Sequence, residues 1–178
     1  MLLDLNKLHG PRARVERTFQ PSAFDPPDDD YRVAAPVVVS MDVEKAGTDR
    51  FRVSGRAVTR LELSCSRCVE PFEVPVESEF DLQYLSETAN QGEGERELAD
   101  EDLGTAFYRD GTLDIAELLR EQFQLTLPMK PLCDAACRGL CPECGASLNR
   151  ADCGCAPKWE DPRLAPLKTL LLNRQKEN

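Results

Sequence analysis

The residues with the most chemistry to offer are eight cysteines, and all of them fall into close pairs: Cys65-x2-Cys68, Cys133-x3-Cys137, Cys141-x2-Cys144 and Cys153-x-Cys155. A short turn carrying two cysteines presents two thiolates to one side of an ion, and two such turns complete a tetrahedral site at metal–sulfur distances of about 2.3 Å. The pattern points to structural metal binding, with zinc as the ion and all eight cysteines as ligands. Cys141-Pro142-Glu143-Cys144-Gly145 has the form of a zinc knuckle. Its proline sets the turn, its glycine admits backbone close to sulfur, and backbone N–H groups can stabilise the thiolate charge. With Cys153 and Cys155 it closes one local site. Cys65, Cys68, Cys133 and Cys137 then form a second, tying a sheet corner to the segment after a helix. The spacing also permits Cys133, Cys137, Cys141 and Cys144 as one site with Cys65, Cys68, Cys153 and Cys155 as the other, or one filled site with spare thiols.

Catalytic uses of the same residues fit less well. A thiol oxidoreductase would single out Cys65-Ser66-Arg67-Cys68, where Arg67 can lower a thiolate pKa. That pair, however, follows a β-patterned run and does not open a helix in a βαβ unit. A catalytic zinc site keeps one position open and usually employs His or carboxylate ligands. The single histidine, His9, is remote in sequence and reads as a surface residue. No catalytic residues are assigned, and the chain reads as a non-enzyme.

The elements that must position these cysteines are legible in part. Leu3 and Leu5 suggest a short strand, followed by a polar, basic connector through Arg17, Phe19 and Pro21. Phe24 to Asp30, with Pro26 and Pro27, reads as an exposed linker. From Tyr31 the chain turns β-branched: Val37-Val38-Val39, Val43, a turn at Ala46-Gly47-Thr48-Asp49, then Phe51-Arg52-Val53. Beyond Gly55, alternation puts Ala57, Thr59, Leu61, Leu63 and Cys65 on one face and Arg56, Val58, Arg60 and Glu62 on the other. Phe72, Val74, Val76, Phe80, Leu82 and Tyr84 suggest the partner strand, with Cys65 and Cys68 at the hairpin corner. Asp114 to Leu127 reads as a helix with Asp114 as N-cap, Glu117 placed for a capping box and Pro128 ending it. Its stripe of Ile115, Leu118, Leu119, Gln122, Phe123 and Leu125 is assigned to the core. A last helix is expected from Asp161-Pro162 through Leu164, Leu167, Leu170 and Leu171, packed on the body.

The fold class expected is therefore α+β. An antiparallel β-rich body with a central helix occupies 1–127 and includes an acidic loop at 86–103. A cysteine-rich zinc lobe with the C-terminal helix occupies 128–178. Size agrees, since 178 residues with 41% hydrophobic content suffice for one ordinary core plus a small metal-stapled lobe. The opening residues lack a basic segment followed by an apolar run, and no stretch reaches the roughly 18 apolar residues of a membrane span. A reducing cytoplasm is the expected setting, where paired cysteines are ligands and not disulfides.

The net charge of -10 disfavours a uniformly basic nucleic-acid binder. Much of the excess lies in 86–103, which holds seven acidic side chains against one basic. Arg56, Arg60 and Arg67 near the first pair, and Lys130, Arg138, Arg150 and Lys158 near the later ones, form either a local phosphate-touching surface or ordinary surface charge.

Three stretches carry a family resemblance. They are Cys65-Ser66-Arg67-Cys68-Val69-Glu70-Pro71-Phe72, the run Leu125-Thr126-Leu127-Pro128-Met129-Lys130-Pro131-Leu132-Cys133, and Cys137-Arg138-Gly139-Leu140-Cys141-Pro142-Glu143-Cys144-Gly145. Together they resemble the bacterial and plastid YceD family over most of the chain. The resemblance implies a role in accumulation of large-subunit (23S) ribosomal RNA, hence ribosome biogenesis, with ribosomal RNA or large-subunit ribosomal proteins as partners. It implies no enzymatic mechanism. Without the resemblance, the cysteines fit a zinc-stabilised protein-interaction adaptor.

Overall fold

A computed structural model describes residues 1–8, 10–47, 49–89 and 104–155. The chain forms two compact units: Met1–Cys65 with Glu70–Cys133, and Ser66–Val69 with Asp134–Asn178, the latter described as far as Cys155. The architecture is α+β.

The first unit is built on a six-stranded sheet. Its strands β2 (Arg12–Phe19), β4 (Val37–Lys45), β5 (Arg50–Ser64), β6 (Pro71–Ser86) and β7 (Thr105–Tyr108) lie in that order, and β3 (Arg32–Val33) pairs separately with β5. A second, two-stranded sheet joins β1 (Leu2–Asp4) to β8 (Thr112–Asp114). Among the described residues all strand pairings are antiparallel except β6 with β7, where Gln83 faces Thr105 and Ser86 faces Tyr108 in parallel. A parallel pair needs a connection of roughly a dozen residues or more, and the link between β6 and β7, residues 87–104, has that length and takes in most of the loop expected from acidity at 86–103. Residues 90–103 of that expected loop lie outside the described residues, as do His9 and the expected C-terminal helix.

The alternation read along β5 and β6 is observed. Val53, Ala57, Thr59, Leu61 and Leu63 are buried while Arg52, Arg56, Val58 and Arg60 face outward. Gly55 interrupts the inward row for a steric reason: a Cβ there would lie 2.5 Å from the Ser40 carbonyl oxygen and 2.6 Å from Met41 Cβ. On the outer face the two long strands are laced by Arg52–Asp81, Arg56–Glu77 and Arg60–Glu73 ion pairs.

Helix α1 (Ile115–Thr126) closes the core. Asp114 caps it, its carboxylate accepting from the Ala116 N–H at 2.8 Å. Ile115, Leu118, Leu119, Gln122 and Phe123 face inward as expected, but Leu125 is 80% exposed. At about 100° per residue, Leu125 lies some 200° round from Phe123 and leaves the stripe.

Two connectors prove more ordered than their composition suggests. Arg12–Phe19 is not a connector but an eight-residue edge strand on β4, with Arg12 facing Glu44 and Phe19 facing Val37. Phe24, read as linker, is buried with its ring 6.0 Å from that of Phe123, and Tyr31 meets Phe123 edge-on at 6.1 Å. An aromatic side chain gains enough from burial to order a proline-rich segment around it.

Candidate metal centre

The β5–β6 hairpin delivers the first cysteine pair. Cys65 follows β5, and its N–H donates to the Glu70 carbonyl at 3.0 Å, closing the hairpin end before the chain turns through Ser66–Val69. Within the second unit, the Arg67 guanidinium donates through Nη1 to the carbonyls of Cys137 (2.8 Å) and Ala135 (3.2 Å). The Arg67 carbonyl in turn accepts the Leu140 N–H at 3.2 Å. Gly139 has φ +76° there, and a Cβ on it would meet the Arg67 carbonyl oxygen at 3.0 Å. The arginine considered above as an activator of thiol chemistry thus has a structural task, fixing the backbone that carries Cys137.

The Cys141–Cys144 pair sits on a short ribbon. Leu140 bridges Ser147, the Leu148 N–H donates to the Gly139 carbonyl at 2.9 Å, and the Cys141 N–H donates to the Ala146 carbonyl at 2.8 Å. The knuckle forms as its sequence suggests. Gly145 has φ +74°, and its N–H donates to the Cys141 carbonyl at 2.9 Å. Gly154, between Cys153 and Cys155, also has positive φ, at +69°. Such values suit glycine because it lacks the Cβ that would clash.

These elements gather the cysteines into two tetrads. The sulfurs of Cys65, Cys68, Cys133 and Cys137 lie within 4.8 Å of one another, as do those of Cys141, Cys144, Cys153 and Cys155. Of the groupings that spacing permits, the structure has the local one for the last four and leaves the first four together. A tetrahedral metal with four sulfurs at about 2.3 Å requires sulfur–sulfur separations of about 3.8 Å, so the donor sets fit a tetrahedral thiophilic ion. Neither tetrad includes a histidine or carboxylate.

The protonation behaviour of the second tetrad has the same origin. The Cys141 thiol is drawn down to about 7, first by the backbone N–H groups of Cys144 and Glu143 donating to its sulfur and then by Cys153. Cys155 is pushed up to about 12, chiefly by its thiol hydrogen bonds with Cys144 and Cys153. At Cys153 the N–H of Cys155 favours the thiolate, but the bond with Cys141 and desolvation prevail and raise it. One thiolate forms readily, and its neighbours then hold their protons because adjacent negative charges repel. A divalent cation reverses that order, replacing the shared protons and stabilising the thiolates together.

Burial gives an independent reason to expect an ion. Apart from Gly139, the buried residues among those described in the second unit are Cys68, Cys137 and Cys141. A unit whose interior is made of thiols has little apolar area to offset chain entropy, which is the situation in which metal binding supplies folding free energy.

The basic side chains near the cysteines are largely committed. Arg56 and Arg60 pair with Glu77 and Glu73 on the sheet face, and Arg138 pairs with Asp152. Ordinary surface charge therefore describes these three better than a phosphate-touching patch. Lys158 lies outside the described residues. Asn149 lies outside the residues that motif and spacing mark: its Oδ1 accepts the Arg138 N–H at 2.7 Å and its Nδ2 donates to Cys137 Sγ at 3.2 Å. An asparagine in a cysteine-rich loop carries no spacing signal that would single it out.

Among the described residues, no helix is long and apolar enough to cross a membrane. No solved structure matches the chain. It is similar to proteins named large ribosomal RNA subunit accumulation protein YCED homolog 1, chloroplastic. The Arabidopsis thaliana protein is 28% identical over 79% of this chain and 50% of its own length. The Zea mays protein is 31% identical over 75% and 53%. An uncharacterised Mycobacterium tuberculosis protein is 29% identical over 67% of this chain and 55% of its own length. The chain thus spans about half the length of the curated relatives it matches. The family described as Large ribosomal RNA subunit accumulation protein YceD matches residues 53–171, a stretch that includes all eight cysteines. The chain belongs to the YceD family.

Proposed function

We propose that this protein is a non-enzymatic, zinc-stabilised factor of ribosome biogenesis that supports accumulation of large-subunit (23S) ribosomal RNA in the cytoplasm, through contact with that RNA or with large-subunit ribosomal proteins. The observation that carries the proposal is the pair of all-cysteine tetrads inside the stretch matched by the family. Zinc is favoured because four thiolates in tetrahedral array suit a redox-inactive, borderline-soft ion. A structural role is favoured because four thiolates fill a tetrahedral ion's coordination and leave no open position for substrate. Cys65 and Cys68 are 2% and 3% exposed, which counts against the oxidoreductase alternative, since a catalytic thiolate must reach its substrate. Many exposed basic groups are paired with carboxylates, so protein contact or a local RNA contact fits better than broad electrostatic adhesion to phosphate.

Two measurements test this. Metal analysis of anaerobically purified protein should return about two zinc ions per chain, whereas metal-free protein with eight reactive thiols would sink the zinc assignment. Depletion in the source organism should reduce large-subunit ribosomal RNA and large-subunit particles. Unchanged particles would refute the biogenesis role and favour the adaptor reading.

A further inference from the structure

One side chain reaches from the loop enclosed by the second tetrad to a sulfur of the first. Cys137 belongs to the first tetrad and Cys141 to the second, with three residues between them. Each of those three residues is held to the loop that precedes Cys153. The Arg138 N–H donates to Asn149 Oδ1, the Gly139 carbonyl accepts from the Leu148 N–H, and Leu140 bridges Ser147. The loop 145–152 is bounded by Cys141 and Cys144 at one end and Cys153 and Cys155 at the other, all ligands of one candidate site. From it Asn149 reaches back and donates its amide N–H to Cys137 Sγ at 3.2 Å. The amide orientation is unambiguous, because a backbone N–H such as that of Arg138 can only be met by the amide oxygen, which leaves Nδ2 toward sulfur.

We infer that Asn149 couples the two centres, so that metal in the second tetrad strengthens metal binding in the first. The inference rests on the metal-binding reading of both tetrads. Filling the second tetrad pins both ends of loop 145–152 and removes most of its conformational freedom. Asn149 is then held where its N–H faces the Cys137 sulfur. A hydrogen bond to a ligating thiolate disperses its charge and holds it in position, and losing such a partner commonly costs about 10- to 100-fold in metal affinity. By linkage, metal in the first tetrad strengthens the second by the same factor. Asn149 is a positioning residue that acts through Cys137.

The test is anaerobic cobalt(II) titration, followed by the thiolate-to-cobalt absorption bands and by competition with a chelator. The parent chain should take two cobalt ions. The Asn149→Leu chain should still take two, with the first tetrad weakened by roughly 10-fold or more. Asn149→Asp keeps the acceptor for the Arg138 N–H but turns a carboxylate oxygen toward sulfur, and should weaken it at least as much. A Cys153→Ser/Cys155→Ser chain, left with the first tetrad alone, should show a comparable loss, and adding Asn149→Leu to it should cost little more. Asn149 variants that load both sites with parental affinity would overturn the coupling and leave the metal reading intact. A full further loss on adding Asn149→Leu to the serine chain would show that Asn149 acts without the second site, and would also overturn it. A parent chain that binds no cobalt would remove the metal reading and this inference with it.

Discussion

Val69 and Gly145 occupy the same backbone position in two matching turns. Each follows the second cysteine of a Cys-x2-Cys pair, and both have positive φ, +61° and +74° respectively. In the knuckle around Cys141 and Cys144 that conformation falls to glycine. In the turn around Cys65 and Cys68 it falls to a β-branched residue that is 65% exposed. Two turns with the same thiol-presenting geometry thus carry different conformational costs.

Replacing Val69 by glycine should therefore stabilise the protein. A β-branched residue at positive φ costs about 1–3 kcal/mol, and the added freedom of glycine in the unfolded chain returns about 0.5–1 kcal/mol of that. A net gain of about 1 kcal/mol is expected for Val69→Gly in urea unfolding of the metal-loaded protein. Gly145→Val should lose a similar amount, although nothing lies within 4 Å of an added Cβ there. A destabilised Val69→Gly chain would show that the valine side chain contributes more than its backbone strain costs.

Gly55→Ala tests a different constraint, space and not φ. The new methyl would press on the Ser40 carbonyl and on Met41 at 2.5–2.7 Å, where β4 and β5 pair and Met41 is buried. Backbone atoms in mid-sheet cannot rotate away, so a loss of about 2–3 kcal/mol is expected, in the range of overpacked cores. A urea midpoint within error of the parent would mean that the strands separate more easily than this geometry implies.

Chelation should unfold the two units unequally. The second unit buries thiols in place of apolar side chains, whereas the first is built around Val53, Leu61, Leu119 and Phe123, all buried. After treatment with a chelator, hydrogen exchange at amides 138–150 should become fast while those in β4, β5 and β6 remain protected. Sustained protection of the Cys141 and Leu148 amides in metal-free protein would show that this ribbon folds without an ion.

The acid limb of stability should reflect the outer ion pairs. Arg52 grips Asp81 through Nε–Oδ1 at 2.8 Å and through a second contact from Nη2 to Oδ2. The hydrogen bond from Arg52 lowers the Asp81 pKa below its ordinary 3.8, desolvation opposing it. Because the folded value is depressed, this stabilisation is fully present above the ordinary value and disappears as pH falls through the lowered one. Asp81→Asn should thus cost about 0.5 kcal/mol at neutral pH, a solvent-screened pair being worth little. The gap from the parent should close as pH falls below about 3 to 4, with both chains measured under the same metal conditions. A gap that persists in strong acid would assign the effect to packing.

Local pattern was enough to read the alternating faces of β5 and β6, the Asp114 cap and inward stripe of α1, and the cysteine pairs, because each depends on residues within a turn or a few pleats of one another. The eight paired cysteines were also sufficient to suggest two sites of four. Which pairs share a site was decided only by tertiary structure, since that is a distance between segments as far apart in sequence as Cys68 and Cys133, and spacing within a pair carries no information about it. The same holds for β2, whose mixture of charged and apolar residues acquires strand character from its pairing with β4. It holds for Phe24, ordered by a ring contact with Phe123 nearly a hundred residues away, and for Asn149, whose importance lies in facing Cys137 across a folded ribbon. Local sequence specifies what each segment can form, while long-range packing and hydrogen bonding select which of those possibilities are used together.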